Sequence, residues 1–378
     1  MVNFTMSKSV CVIDYDILGP YGAGVDVFMK GLRSGCTAIR EFKRFPVAHL
    51  RSKNAAYIPD TASDTGKSLF FEIIERLLEK KKFDSGAFLI TATTVGPVDL
   101  LENYVSSRTG NPQNSSLSFI NAEISSAMGL SRKGLCISSA CASSISALAR
   151  AVSLIKSGRE RLVVILAADI VSEFVFAGFS SLMALDEDKA SPFDRNRKGL
   201  SIGETASYIV LCERGYADEL NILSEAEVLS CAQTNDSNHM TGPSRDGAGL
   251  SDAIDRALTA AGVSQDEICF ISAHGTGTKY NDTMEIKAFK RSFLKPVPCF
   301  GIKGAIGHTM ASAGMAQIIA SIESLRDGYI PPTTGLASTD DESAGWVIPA
   351  RVDIFGKTAL VVNAGFGGIN AAAVLGAL

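Results

Sequence analysis

The sequence predicts an α/β protein built on buried sheets and arranged as two related halves. Three observations lead there. Short apolar runs alternate with amphipathic helix-like runs along most of the 378 residues. Two distant segments repeat one strand–turn–helix plan. Apolar residues make up 46% of the chain and charged residues 20%, an ordinary globular balance, and no low-complexity linker divides it.

Taken in order, the expected strands are SVCVID (9–14), AFLIT (87–91), LCIS (135–138), LVVILA (162–167) and ASYIVL (206–211). ICFISA (268–273), VPCFGI (297–302), TALVV (358–362) and AAAVL (371–375) complete the set. SLFFEIIERLLEK (68–80) reads as a helix, with Leu69, Ile73 and Leu77 on one face. The first repeat is LCISSACASSISALARAVSLIKSG (135–158), whose helix carries Ile145, Leu148, Val152 and Ile155 before a stop at Gly158. The second is VPCFGIKGAIGHTMASAGMAQIIASIESLRDG (297–328), closed by Gly328 and the Pro331–Pro332 pair. Both helices are rich in Ala and Ser, which allows close packing on a sheet. The halves are expected over 1–217 and 218–378, within one compact body.

The charges exclude several classes. Net charge is −4, from 36 basic and 40 acidic side chains, which leaves no footprint for nucleic acid or anionic membrane. The N-terminus lacks a signal-peptide core, and no apolar run approaches the roughly 20 residues of a bilayer span. Eight cysteines without a C-x-x-C pair indicate free thiols in a reducing, cytoplasmic compartment. Four widely spaced histidines make a zinc site unexpected.

The chemistry gathers at strand ends, where open α/β sheets bind ligands. Cys141 is expected to end a strand and open a helix, whose N–H groups would favour thiolate and hold an oxyanion. The other seven cysteines read as small buried hydrophobes. His274 ends the strand before Gly275, Thr276, Gly277 and Thr278, a polar arm suited to an extended ligand. Asp282 and Glu285 follow, with an N-cap and a surface charge as their plainer readings. GIKGAIGHTMASAG supplies Lys303 and His308, the histidine at an expected helix start that would keep it neutral. Such a pair could grip a thioester carbonyl, with Lys303 fixing it and Glu285 as counter-charge. A lone histidine after a strand is more often structural, and His49 and His239 are read that way. VVNAGFGGIN (361–370) reads as strand, tight turn and strand, either a plain glycine turn or one presenting Phe366 and Gly367 to the site.

In order and spacing these segments resemble the β-ketoacyl synthases of the thiolase superfamily, nearest the elongating type of fatty acid and polyketide synthesis. FMKGLRSGCTAIREFKRF, SSACASS, SPFDRNRKGLSIGETA, HGTGTKYND, GIKGAIGHTMASAG and NAGFGGIN carry the resemblance nearly end to end. It implies a five-layered αβαβα sandwich of two similar halves. It implies an acyltransferase that condenses an acyl thioester on Cys141 with malonyl-acyl carrier protein, releasing CO2. Cys141 would be the nucleophile, His274 and His308 the decarboxylation pair, and Lys303 and Glu285 the supporting charges. Thr276 and Thr278 would bind the phosphopantetheine arm, Phe366 would gate the pocket, and the N–H groups of Cys141 and Phe366 would form an oxyanion hole. No metal and no cofactor are implied beyond the phosphopantetheine of acyl carrier protein or CoA. The implied partners are acyl carrier protein and a second subunit, in a homodimer or a heterodimer with another synthase chain.

The sequence departs from that pattern in three places. Segments 45–66 and 104–117 are abbreviated, Ala364 stands where many elongating members carry a second phenylalanine, and Lys198 replaces a commonly acidic residue. Lys189, Arg195, Arg197 and Lys198 form a basic stretch suited to an acidic carrier, or a merely solvated loop. Among other readings, a degradative thiolase needs a further cysteine in the C-terminal glycine loop, where none stands. An initiation-type synthase pairs its histidine with asparagine. A non-catalytic chain-length subunit usually lacks the cysteine present here.

Overall fold

A computed structural model describes residues 9–61 and 67–378. Residues 62–66 of the abbreviated segment 45–66, and the first eight residues of the N-terminus, lie outside that description. The first half contributes β1 (Val10–Gly19), β2 (Phe88–Ala92), β3 (Leu135–Ile137), β4 (Leu162–Asp169) and β5 (Thr205–Glu213). The second contributes β6 (Ala226–Asn235), β7 (Ile268–Ser272), β8 (Cys299–Phe300), β9 (Thr358–Gly365) and β10 (Ile369–Gly376).

These strands run β8-β7-β9-β10-β6-β1-β5-β4-β2-β3 across one long sheet. Within each half the spatial order is third, second, fourth, fifth, first. The directions also match: second with third and second with fourth are parallel, whereas fourth with fifth and fifth with first are antiparallel. The duplication expected from the repeated segments is thus a duplication of topology. The half-sheets join at Cys11↔Glu227 and Val12↔Ala226. A short helix, α3 (Arg214–Leu220), connects them in sequence, and the 217/218 division falls inside it.

Side-chain alternation along the strands builds the layers. On β4, Val163, Ile165 and Ala167 face one core, and Val164, Leu166 and Ala168 face another. Helices α2 (Ser143–Lys156) and α6 (Ala313–Asp327) fill the first core and touch both half-sheets. Every residue of α6 from Ala313 to Leu325 is buried. A helix enclosed on all sides needs small residues rather than a polar face, and this explains the Ala- and Ser-rich sequence. Helix α1 (Leu69–Leu78) covers the outside of the first half with Leu69, Phe70, Ile73, Ile74 and Leu77. Helices α4 (Ala248–Ala261) and α5 (Lys279–Ser292) cover the second. The result is the five-layered thiolase-like sandwich. Each fully buried Leu, Ile or Phe in these cores contributes roughly 1.5–3 kcal/mol.

Three expectations need correction. Strand β6 has no counterpart among the sequence-derived strands, because its far half is polar and no more than half-buried instead of forming an apolar run. The run 297–302 pairs only at Cys299–Phe300. The cysteines are less uniformly buried than expected: besides Cys141, only Cys11, Cys212 and Cys299 are buried, and Cys36 is exposed. No helix among the described residues is long and apolar enough to cross a membrane.

Candidate active site

Strand β3 stops at Ile137 and α2 starts at Ser143, so Cys141 sits in the turn between them, not on the helix itself. Ala140 takes a left-handed φ of 48°, which bends the chain and presents the next residue. The β9–β10 turn closes over it. A methyl on Gly365 would lie 3.3 Å from the amide nitrogens of both Cys141 and Ala142, so glycine permits this approach. The backbone N–H of Phe366 and that of Cys141 itself both donate toward Sγ. Gly367, with φ of 85°, turns the loop and donates its N–H to Met240 O at 2.7 Å; it anchors the turn and does not line the cavity.

Burial dominates the thiol. Cys141 is 7% exposed, and its pKa is pushed up to about 11 by desolvation, with Lys303 and the two N–H groups opposing. The thiolate expected from a helix start is therefore not the resting form. A buried anion costs more than the helix end and Lys303 return.

His274 follows the end of β7, and its backbone is clamped from α5. Glu285 accepts from the His274 N–H at 2.6 Å, from the Gly275 N–H at 2.7 Å and from Asn281 Nδ2 at 2.7 Å. Glu285 thus holds the strand end and acts on Lys303 only through its field. Burial raises its carboxyl pKa, and burial lowers that of the Lys303 ammonium. Lys303 begins a four-residue helix, Lys303–Ile306, and its Nζ lies 3.2 Å from His274 Nδ1 and also donates to His274 O. His308 stands five residues before α6, not at its start, in a bridge to Ile202. Its Nδ1 accepts from the Met310 N–H at 3.0 Å, which leaves the ring proton on Nε2. Both histidines are held well below their usual pKa, chiefly by burial and then by Lys303. They are neutral donors at physiological pH.

The fold brings the three groups together. One ligand atom each from Cys141, His274 and His308 lies within 4.8 Å of the others, and the imidazoles cross at 84° with centroids 5.3 Å apart. Wide spacing of the histidines argued against a zinc site, yet the fold does assemble an S, N, N set here. A metal would need the lone pair of His308 Nε2, where the Met310 N–H places a proton. The set fits proton donation better than coordination.

A cavity of about 800 Å³ opens onto this centre, lined also by Thr276, Thr278, Phe366 and Lys198. Thr276 Oγ1 and Thr278 Oγ1 lie 2.9 Å apart, and Thr278 caps α5. Asp282 is no cap: it is buried, accepting from the N–H groups of Phe193 at 2.8 Å and Thr276 at 3.0 Å. Two further expectations change. Arg197 leaves the basic stretch, because its side chain is 3% exposed between Asp282 and Asp340. His239, read as structural, lines the cavity while its Nδ1 accepts from the Thr241 and Gly242 N–H groups at 3.1 Å. His49 is exposed.

The sequence reading missed Asn363 and Gln317. Asn363 Nδ2 lies 3.0 Å from His274 Nδ1 and donates to Gln317 Oε1 at 2.6 Å. The polar Gln317, fully buried between Ala316 and Ile318 in the middle of α6, was the available signal.

A buried thiol, two neutral imidazoles and two backbone N–H groups thus meet at one cavity of a thiolase-like fold. The family models agree. Residues 90–217 match the β-ketoacyl synthase N-terminal domain and residues 225–337 match its C-terminal domain. The chain belongs to the β-ketoacyl synthase family. It is 36% identical over 254 residues to the tetracenomycin polyketide synthase ketoacyl synthase alpha subunit of Streptomyces glaucescens, covering 63% of this chain and 59% of that protein. It is 32% identical to the 3-oxoacyl-[acyl-carrier-protein] synthase 2 of Vibrio cholerae, over 67% of this chain and 64% of that one. The matched part thus spans less than two thirds of these relatives. Among solved structures, the ishigamide ketosynthase/chain length factor superposes with a TM-score of 0.89 at 27% identity, covering 98% of this chain and 100% of that one.

Proposed function

We propose that this chain is a β-ketoacyl-[acyl carrier protein] synthase performing decarboxylative Claisen condensation. The observation that carries the reading is the meeting of the Cys141 thiol with two neutral imidazoles inside 4.8 Å, next to a pair of backbone N–H groups. In the first step Cys141 Sγ attacks an acyl thioester, and the carrier thiol leaves with the thiol proton. The N–H groups of Cys141 and Phe366 stabilise the oxyanion. In the second, a malonyl thioester places its carbonyl oxygen on His274 and His308. Loss of CO2 yields an enolate held by the two Nε2–H donors, and its carbon attacks the acyl group on Cys141. The released thiolate takes a proton from water. Neutral imidazoles suit this step, since they donate without demanding full protonation. No bound cofactor takes part beyond the substrate's own phosphopantetheine, whose arm Thr276 and Thr278 would hold.

Acyl carrier protein is the proposed donor. Helix α5 presents Lys287, Lys290 and Arg291 at helical spacing, and with Arg245 they border a basic depression. Arg245 also lines the active-site cavity, so this surface reaches its mouth. The double variant Lys287→Glu/Lys290→Glu is expected to raise KM for a carrier-bound substrate about tenfold, with a small thioester mimic changed less than about twofold. Equal effects on both substrates would sink the docking assignment.

A second synthase subunit is also proposed. Leu101, Val105, Phe174, Leu182 and Met183 are exposed on two packed helices and the turn after them, an apolar surface that a partner would cover. The name of the ishigamide structure, a ketosynthase/chain length factor, supports such pairing. A homodimer is the simpler form, and light scattering of the purified chain separates it from a monomer awaiting another subunit. A reducing cytoplasm is the proposed compartment, and eight cysteines without a C-x-x-C pair support it. The activity is tested by supplying acyl- and malonyl-carrier substrates and following CO2 release with a β-ketoacyl product. Hydrolysis of the acyl donor without carbon–carbon bond formation would overturn it.

A further inference from the structure

We propose that Gln317 and Asn363 form an amide relay that fixes His274 in the tautomer protonated on Nε2. The inference rests on the reading of His274 as an enolate donor, since only an Nε2–H can serve the cavity.

The relay starts at α6, the enclosed middle helix. Gln317 Nε2 lies 2.8 Å from Ala273 O, 3.2 Å from Ser272 O and 3.2 Å from Val362 O. Three carbonyl oxygens at one end of the amide allow only the nitrogen there; a flipped Gln317 would set its own oxygen against all three. Oε1 must then face Asn363, and at 2.6 Å it can only accept. That fixes Asn363 in turn, with Nδ2 toward Gln317. The second proton of Nδ2 points to His274 Nδ1 at 3.0 Å. Nδ1 is therefore an acceptor, and the ring proton resides on Nε2.

An orphan atom supports this order. Asn363 Oδ1 has no hydrogen-bond partner among the described residues, although it is buried. Rotating the amide would give Oδ1 a partner in an Nδ1–H tautomer of His274, but would drive it onto Gln317 Oε1. The unpaired oxygen marks the orientation the relay imposes. Gln317 and Asn363 are both 0% exposed, and His274 is 2% exposed, so water does not offer an alternative. Lys303 Nζ, 3.2 Å from the same nitrogen, reinforces the choice with a positive charge. The relay adds a donor that does not depend on the charge of Lys303. Neither amide touches substrate, so both are positioning residues.

Four histidines in the chain make the imidazole 15N spectrum sparse enough to read directly. His274 is assigned by its loss in His274→Gln, and the tautomer by long-range 1H–15N couplings. Wild-type protein is expected to show Nε2–H at His274 throughout the neutral range. In Asn363→Asp an oxygen replaces Nδ2, so the signal should move to Nδ1–H or imidazolium. Condensation should then fall roughly a hundredfold, the usual scale for losing one oxyanion donor, and by more than acyl loading falls. Gln317→Met keeps the volume and releases Asn363 to rotate, so a mixed tautomer and an intermediate loss are expected even if the first variant does not fold. An Nδ1–H tautomer in the wild type, or an unchanged Nε2–H in either variant, would overturn the relay. Absence of condensation by the wild type, with Nε2–H in place, would instead count against the synthase reading.

Discussion

At the residue scale, burial decides the behaviour of each reactive group. Cys141 has a pKa of about 11, so its thiolate is a minor species near neutrality, and substrate must arrive before it forms. Alkylation by iodoacetamide should therefore speed up about tenfold per pH unit through the neutral range, without a plateau. A plateau near pH 7 would show a thiolate already present. Lys303 is the nearest opposing cation, so Lys303→Met should raise the thiol pKa further and slow alkylation at any given pH. These reacting residues were legible because each sits in a short motif with a chemical reason for its neighbours. Asn363 and Gln317 were not, since an asparagine in a strand and a glutamine in a helix carry no local sign of what they face. Their meaning comes only from β7, β9 and α6 packing together.

At the element scale, the glycine-rich turns and the enclosed helices do the positioning. Gly314, in the first turn of α6, lets that helix approach Asn363, and an added methyl would also lie 3.1 Å from Ser144 Cβ. Gly314→Ala should cost about 1–3 kcal/mol in urea denaturation, as overpacked sites do, and should disturb the His274 relay with it. A neutral result would mean that α2 and α6 have room to separate. The repeated strand–helix segments showed this layer from sequence, because small residues along a helix have few uses except close packing. Strand β6 escaped because an alternating, partly polar strand resembles a loop to any search for apolar runs. His308 was placed at a helix start for the converse reason: the Ala- and Ser-rich run after it reads as one helix, but Met310–Ser312 form a short separate turn before α6 begins.

At the scale of the whole molecule, two copies of one topology share a sheet, and the site lies where both supply residues. Cys141 comes from the first copy, and His274, Lys303, His308 and Phe366 from the second, so chemistry and global stability are coupled. The two histidines are neutral when folded, whereas unfolded imidazoles take a proton near 6.5. Their contribution to stability is therefore fully present above that pH and is lost as pH falls below it. Each should add about 1.4 kcal/mol per pH unit to the slope of stability against pH there. His308→Gln should flatten that slope by its share, as urea midpoints at successive pH values would show. Elsewhere, Arg44 meets the fully buried Glu204 at 2.7 Å. Arg44→Ala should destabilise by about 3–5 kcal/mol by stranding that carboxylate. The overall architecture was legible because a duplicated chain repeats its signals; the acyl preference was not, since the cavity wall is assembled from many separate loops. Acyl transfer to Cys141 would leave a covalent adduct that intact-mass analysis detects. Purified protein is incubated with a panel of acyl-carrier and acyl-CoA thioesters, wild type beside Cys141→Ala. A mass gain equal to the acyl group is expected in the wild type alone, removable by hydroxylamine. A gain of the same size in Cys141→Ala, or none from any donor with the partner subunit supplied, would contradict it.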